Sequence, residues 1–155
     1  MDAQTQPEVR ELAGFTLAGL ALDCKKSDVT GIPGLWEKFF PFMQQHFMDQ
    51  PVAWGACFEN GDPEGFRYVC GCPWGEGGAP EGLERFEVPA CSYVLHQFNG
   101  LPQEMAEHWR GVYQQMCAAA GREFNPDGPW LEEYRHDCYD EATGKITCTL
   151  YTPVK

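Results

Sequence analysis

The sequence predicts an α+β domain made of two like halves, each running strand, helix, strand, strand, which together build one antiparallel sheet with two helices packed on one face. Three observations predict it. The element order occurs twice, over about residues 14–74 and 83–155. Rarer residue types recur at a constant offset, with Trp36 and Trp109, Phe40 and Tyr113, Met43 and Met116, and Glu59 and Glu132 each lying 73 positions apart. Each half also holds one amphipathic helix, whose apolar stripe has to be buried against a sheet. A chain of 155 residues can bury its own core, so residues 1–155 read as a single domain.

The first half opens on GFTLAGLALDC, residues 14–24, an apolar run of strand length; the thirteen residues MDAQTQPEVRELA read as preceding the first strand. After the turn-forming KKSDVTG, the segment IPGLWEKFFPFMQQHFM places Trp36, Phe39, Phe40, Met43 and Phe47 on one face of a helix. Pro33 suits the first helical turn, whereas Pro41 falls inside the pattern and predicts a kink or an early end. PVAWGACFE and FRYVCGCPW read as strands joined by the turn NGDPEG, and the glycine-rich GEGGAPEG at 75–82 as the loop between halves. RFEVPACSYVLHQF then reads as a strand. The following helix has Pro102 near its start, Gly121 at its end and a stripe of Trp109, Val112, Tyr113 and Met116. Two strands, PWLEEYRH and ITCTLYTPV, split by DEATGK, complete the second half.

Composition narrows the function. The formal charge of −12 opposes binding to phosphate backbones, so direct contact with nucleic acid is not expected. No apolar run approaches the ~20 residues of a membrane span, and the N-terminal segment lacks the basic start and apolar core of a secretory signal; a cytoplasmic protein without a membrane partner is expected. The eight cysteines show one close pair, Cys70 and Cys72, and no paired CxxC knuckles, so no metal site is expected and the thiols read as small buried hydrophobes. The four histidines, at 46, 96, 108 and 136, fit no HExxH, CxxCH or Ser-His-Asp pattern, and the glycine-rich loop is not followed by the Lys-Ser/Thr of a phosphate cradle. No cofactor is expected.

The stretch GPWLEEYRHD carries the most chemistry. Strand alternation puts Trp130, Glu132, Tyr134 and His136 on one face and Leu131, Glu133, Arg135 and Asp137 on the other. Glu132 among aromatics suits either a locally hydrogen-bonded strand residue or the counter-charge of a cation that aromatic faces also attract. Trp36, Phe40, Trp109 and Tyr113 suit either ordinary core covering a sheet or the walls of a groove between the helices. Trp54, Tyr68, Trp74 and Tyr93 have a parity compatible with either face, and Tyr93, beside the expected symmetry axis, is the best candidate of these.

The repeated plan, together with IPGLWEKFF, GDPEGFRYVCGCP, EVPACSYVLHQFNG, GPWLEEYRHD and the terminal LYTPVK, resembles the GyrI-like or AraC-type effector-binding domain over residues 14–155. The resemblance implies a pocket between the two helices, often for hydrophobic cations, with the family's E-x-Y glutamate at Glu132 and its tyrosine at Tyr134. A multidrug-type small-molecule binder related to transcription regulation follows, with ligand-binding residues Glu132, Tyr134, Trp36, Phe40, Tyr93, Trp109, Tyr113 and Trp130. Two departures stand out: Trp130 occupies a place where the family more often has a smaller residue, and Thr149 one where an acid is common. Many relatives carry a DNA-binding helix-turn-helix segment ahead of this domain, and thirteen residues are too few for one, which suggests a stand-alone member. The alternative is a hydrolase of strained, cyclopropane-type electrophiles, with Glu132 as general base and Tyr134 as proton donor. A third is a protein inhibitor of a DNA topoisomerase, for which the partner is a protein.

Overall fold

The structure is a computed structural model that describes residues 7–50, 52–75, 77–135 and 137–155. Its strands are β1 (Glu8–Leu12), β2 (Phe15–Lys25), β3 (Val52–Phe58), β4 (Gly65–Pro73), β5 (Glu84–Val88), β6 (Cys91–Gly100), β7 (Trp130–Arg135) and β8 (Ile146–Val154). The helices are α1 (Ile32–His46), between β2 and β3, and α2 (Pro102–Ala119), between β6 and β7. All eight strands join one antiparallel sheet in the order β1-β6-β8-β7-β3-β4-β2-β5. Among the described residues no helix is long and apolar enough to cross a membrane.

Both helices lie on one face. Leu35 and Phe39 of α1 pack on Ala18, Tyr68, Cys70 and Cys72, while Trp109 of α2 packs with Phe98, Cys148 and Leu150. The opposite face has its own core of Leu17, Trp54, Val69, Tyr93, Leu131 and Tyr151. Helix α1 runs through Pro41 instead of ending there. The carbonyl deprived of its partner belongs to Glu37, on the partly exposed side of the helix where water can replace the lost N–H. Gly121, with φ of 71°, closes α2 as Arg122 N–H donates back to the Cys117 carbonyl at 2.9 Å.

The sheet corrects the sequence reading in three places. Residues 8–12 form β1 and pair with β6, so the first strand begins earlier than expected. The segment read as one strand from Arg85 to Phe98 is two, broken at Pro89-Ala90, because β5 pairs with β2 of the first half and β6 with β8 of the second. Edge strands are thus exchanged between the halves. The offset of 73 also fails in the sheet. Glu8 corresponds to Glu84 and Phe15 to Cys91, both 76 apart. Following the register, Leu17 pairs with Pro73 as Tyr93 pairs with Pro153, and one strand further Cys70 pairs with Gly55 as Leu150 pairs with Glu132. The counterpart of Glu132 is therefore Gly55, while Glu59 lies exposed just beyond the end of β3. Gly55 and Glu132 are also direct partners across β3 and β7, so both sit on the pseudo-twofold axis.

Candidate functional site

Alternation along β7 turns Trp130, Glu132 and Tyr134 toward the helices and Glu133 away from them. Glu132 is 4% exposed. Its Oε1 accepts hydrogen bonds from Tyr68 Oη of β4 and from Tyr134 Oη, each at 2.7 Å. Tyr68 Oη in turn accepts from Trp36 Nε1 of α1 at 2.9 Å, and the Trp36 ring stands edge-on to Tyr134 with centroids 5.3 Å apart. From α2, Met105 Sδ lies 3.9 Å from Tyr134 Oη. Trp36 of α1 and Met105 of α2 thus both contact the phenols that hold the carboxylate. Gly55 makes the arrangement possible: a Cβ there would lie 2.5 Å from Glu132 Oε1 and closer still to Tyr68 Oη. A glycine inside a strand marks such a close approach.

Burial pushes the Glu132 carboxyl above its ordinary value, and the two tyrosine hydrogen bonds oppose that rise by stabilising the anion. Burial, and then the carboxylate charge, holds Tyr68 and Tyr134 well above the usual phenol range, so both stay protonated donors. The neighbouring thiols are pushed up in the same way, Cys57 and Cys148 strongly and Cys70 to about 12, and all are neutral at pH 7. Cys148 Sγ donates to Met105 Sδ at 3.6 Å. Among the described residues no group of three or more His, Cys, Asp or Glu is placed to hold a metal ion, and no salt bridge reaches Glu132. Among the described residues the site is an acid with hydrogen-bond donors on one oxygen, apolar or neutral surroundings and no cation of its own.

Residues 5–155 match the family described as the GyrI-like small molecule binding domain. The chain belongs to this family. Over 94 residues it is 35% identical to the transcriptional regulator BrlR of Pseudomonas aeruginosa, a match spanning 57% of this chain and 34% of BrlR. The fold is similar to that of SAV2435, solved bound to tetraphenylphosphonium, with a TM-score of 0.73 at 15% identity over 97% of this chain and 94% of that one. It is also similar to an integron cassette protein from the mobile metagenome of Vibrio cholerae, with a TM-score of 0.67 at 18% identity over 97% of each chain.

Within this GyrI-like domain the residues singled out from sequence separate into groups. Trp36 and Tyr134 join Glu132. Trp109, Tyr113 and Trp130 form an edge-on aromatic cluster with Phe124, ring centroids 4.9 to 5.6 Å apart, and Trp109 Nε1 donates to Thr152 Oγ1 at 2.8 Å. Trp36 and Trp109, which suited either core or groove walls, thus have different neighbours. Phe40 is 55% exposed and packs in no core cluster. Tyr93 lies on the opposite face, its ring 5.6 Å from Tyr151, because the register of β6 turns its odd-numbered residues away from the helices. The tyrosine that joins Tyr134 at Glu132 is Tyr68, which period-two alternation alone could not favour over Tyr93; Gly55 in the middle of VAWGACF was the available signal. His136, assigned by alternation to the Glu132 face, lies outside the described residues. Two surface concavities open elsewhere, one beside Phe98, Glu104 and His108, the other beside Arg10, Glu133 and Thr149.

Proposed function

We propose that this domain binds a hydrophobic cation, with Glu132 as counter-charge, in a chamber formed when Trp36 leaves its hydrogen bond to Tyr68 and its edge contact with Tyr134. The observation that carries the reading is a carboxylate 4% exposed whose hydrogen-bond partners, among the described residues, are two tyrosines and no cation. Burying such a group costs several kcal/mol by the order of magnitude seen in proteins, and a delocalised cation relieves that cost while Trp36 and Tyr134 add cation–π contact of about 0.5–2 kcal/mol each. Membership of a small-molecule-binding family and a structural neighbour solved with tetraphenylphosphonium support the choice of ligand class.

The test is a titration of intrinsic tryptophan fluorescence with tetraphenylphosphonium. Saturable quenching with a dissociation constant around the micromolar level is expected, corresponding to ~8 kcal/mol. Glu132→Gln keeps an oxygen acceptor for both tyrosines but removes the charge, and is expected to weaken binding at least tenfold. Equal affinity of the variant and the parent would refute Glu132 as the counter-charge.

A further inference from the structure

Both tyrosine hydroxyls that hold Glu132 converge on the same oxygen. Tyr68 and Tyr134 donate to Oε1, and among the described residues Oε2 receives no hydrogen bond. A carboxylate offers about four acceptor positions over its two oxygens, so the lobe at Oε2 is the free acceptor of the site. The same asymmetry fixes where an acid proton resides when the carboxyl is neutral. With two O–H groups already directed at Oε1, the proton sits on Oε2. Among the described residues the titratable groups around the carboxylate are Cys57 from β3, Tyr68 and Cys70 from β4, Tyr134 from β7 and Cys148 from β8; α1 contributes Trp36 and α2 Met105. None of these supplies a positive charge, and none donates to Oε2.

We propose that Oε2 of Glu132 accepts an N–H of the ligand, so that the domain prefers a protonated amine, amidine or guanidine carried on an apolar body over a quaternary ammonium or phosphonium ion of similar size. The inference rests on the cation-binding function proposed above and narrows its ligand class. A quaternary ion neutralises the carboxylate through space but covers Oε2 without giving it a hydrogen bond, which is costly. An N–H cation neutralises it and fills the vacant lobe with a charge-assisted bond. Where the carboxyl is protonated before binding, the exchange balances: the cation enters intact and the Oε2 proton leaves to solvent.

A methylation series decides the matter. 4-Butylbenzylamine and its N-methyl, N,N-dimethyl and N,N,N-trimethyl derivatives all carry one positive charge at pH 7, and all but the last keep at least one N–H. Each is titrated against the full chain by tryptophan fluorescence, alongside tetraphenylphosphonium. Affinity is expected to hold within about threefold through the dimethyl member and to fall at least tenfold at the trimethyl member. A steady decline at every methyl step would assign the discrimination to bulk and overturn the inference. A flat or rising series that Glu132→Gln abolishes would overturn it while leaving the proposed function standing. If no member of the series and no tetraphenylphosphonium binds, the proposed function fails and the inference falls with it.

Discussion

Gly55→Ala is the most direct perturbation of the site that replaces none of its hydrogen-bonding side chains. The added Cβ would lie 2.5 Å from Glu132 Oε1, closer to Tyr68 Oη, and 2.9 Å from Tyr68 Cζ. Tyr68 is 1% exposed and Glu132 4%, so neither can move into solvent without unpacking the helix-bearing face. The tyrosine–carboxylate bond has to lengthen or break, at about 1.5–3 kcal/mol for a hydrogen bond to a charged group. Overpacking adds about 1–3 kcal/mol. Against this, replacing glycine by alanine recovers about 0.5–1 kcal/mol of backbone entropy. The net expectation is a loss of about 3 kcal/mol, which for a urea slope of roughly 2 kcal/mol/M moves the unfolding midpoint down by about 1.5 M. The same change at Gly111 of α2, where an added Cβ meets nothing within 4 Å, is expected to raise stability by about 0.5–1 kcal/mol and serves as the control. In a Tyr68→Phe background the Gly55→Ala cost should shrink, because the nearest atom the Cβ meets is gone. A Gly55→Ala midpoint within 0.3 M of the parent, by the order of error of such measurements, would refute the packing described around Glu132.

Three further outcomes are expected. Tyr68→Phe removes a hydrogen bond that lowers the Glu132 pKa, so the protonated carboxyl band in infrared titration should persist to higher pH than in the parent; an unchanged titration would dissociate Tyr68 from the acid. Trp109→Phe deprives the buried Thr152 hydroxyl of its 2.8 Å donor and is expected to cost about 1–3 kcal/mol in urea unfolding, part of which Thr152→Val should restore in the double variant. Among the described residues both ring nitrogens of His96 are buried without a partner, and burial, then the nearby His108, lowers its pKa from 6.5 to about 4. Since the unfolded chain binds that proton first, His96 should withdraw stability as pH falls from about 6.5 toward 4, and His96→Phe should flatten that limb of the stability profile.

What the sequence made legible follows from which physical patterns are local. The 3.6-residue stripes of α1 and α2 depend on their own residues and gave both helices, as did the apolar runs of β3 and β4. EVREL, with two acids and an arginine in five residues, has no apolar face of its own and becomes β1 only because β6 offers an edge. The break between β5 and β6 likewise depends on which half each strand joins. At the site, alternation placed Glu132 and Tyr134 on one face and Glu133 on the other, where it accepts from Tyr151 Oη at 3.2 Å. Tyr68 was hidden because its approach to Glu132 passes through the register of three strands, β4, β3 and β7, which no single-strand pattern encodes.

The placement of the acid on the symmetry axis explains why a duplicated fold carries one glutamate there and not two. Residues related by the axis at Gly55 and Glu132 face each other, so two long side chains would compete for the same volume and two carboxylates would repel. One half therefore supplies the space and the other fills it. The surrounding positions are divided the same way: on the strand register Tyr68 corresponds to Cys148 and Tyr134 to Cys57. A glutamate at position 132 meets two phenols long enough to reach Oε1, whereas the related thiols are shorter, weaker donors. Moving the acid across the axis, as Gly55→Glu combined with Glu132→Gly, should therefore break the site despite conserving composition and charge. The loss of two hydrogen bonds to a carboxylate, at about 1.5–3 kcal/mol each, sets an expected destabilisation of roughly 3 kcal/mol or more in urea unfolding. A swapped variant within about 1 kcal/mol of the parent would mean that the two halves offer the acid equivalent surroundings, contrary to the tyrosine and cysteine arrangement seen here.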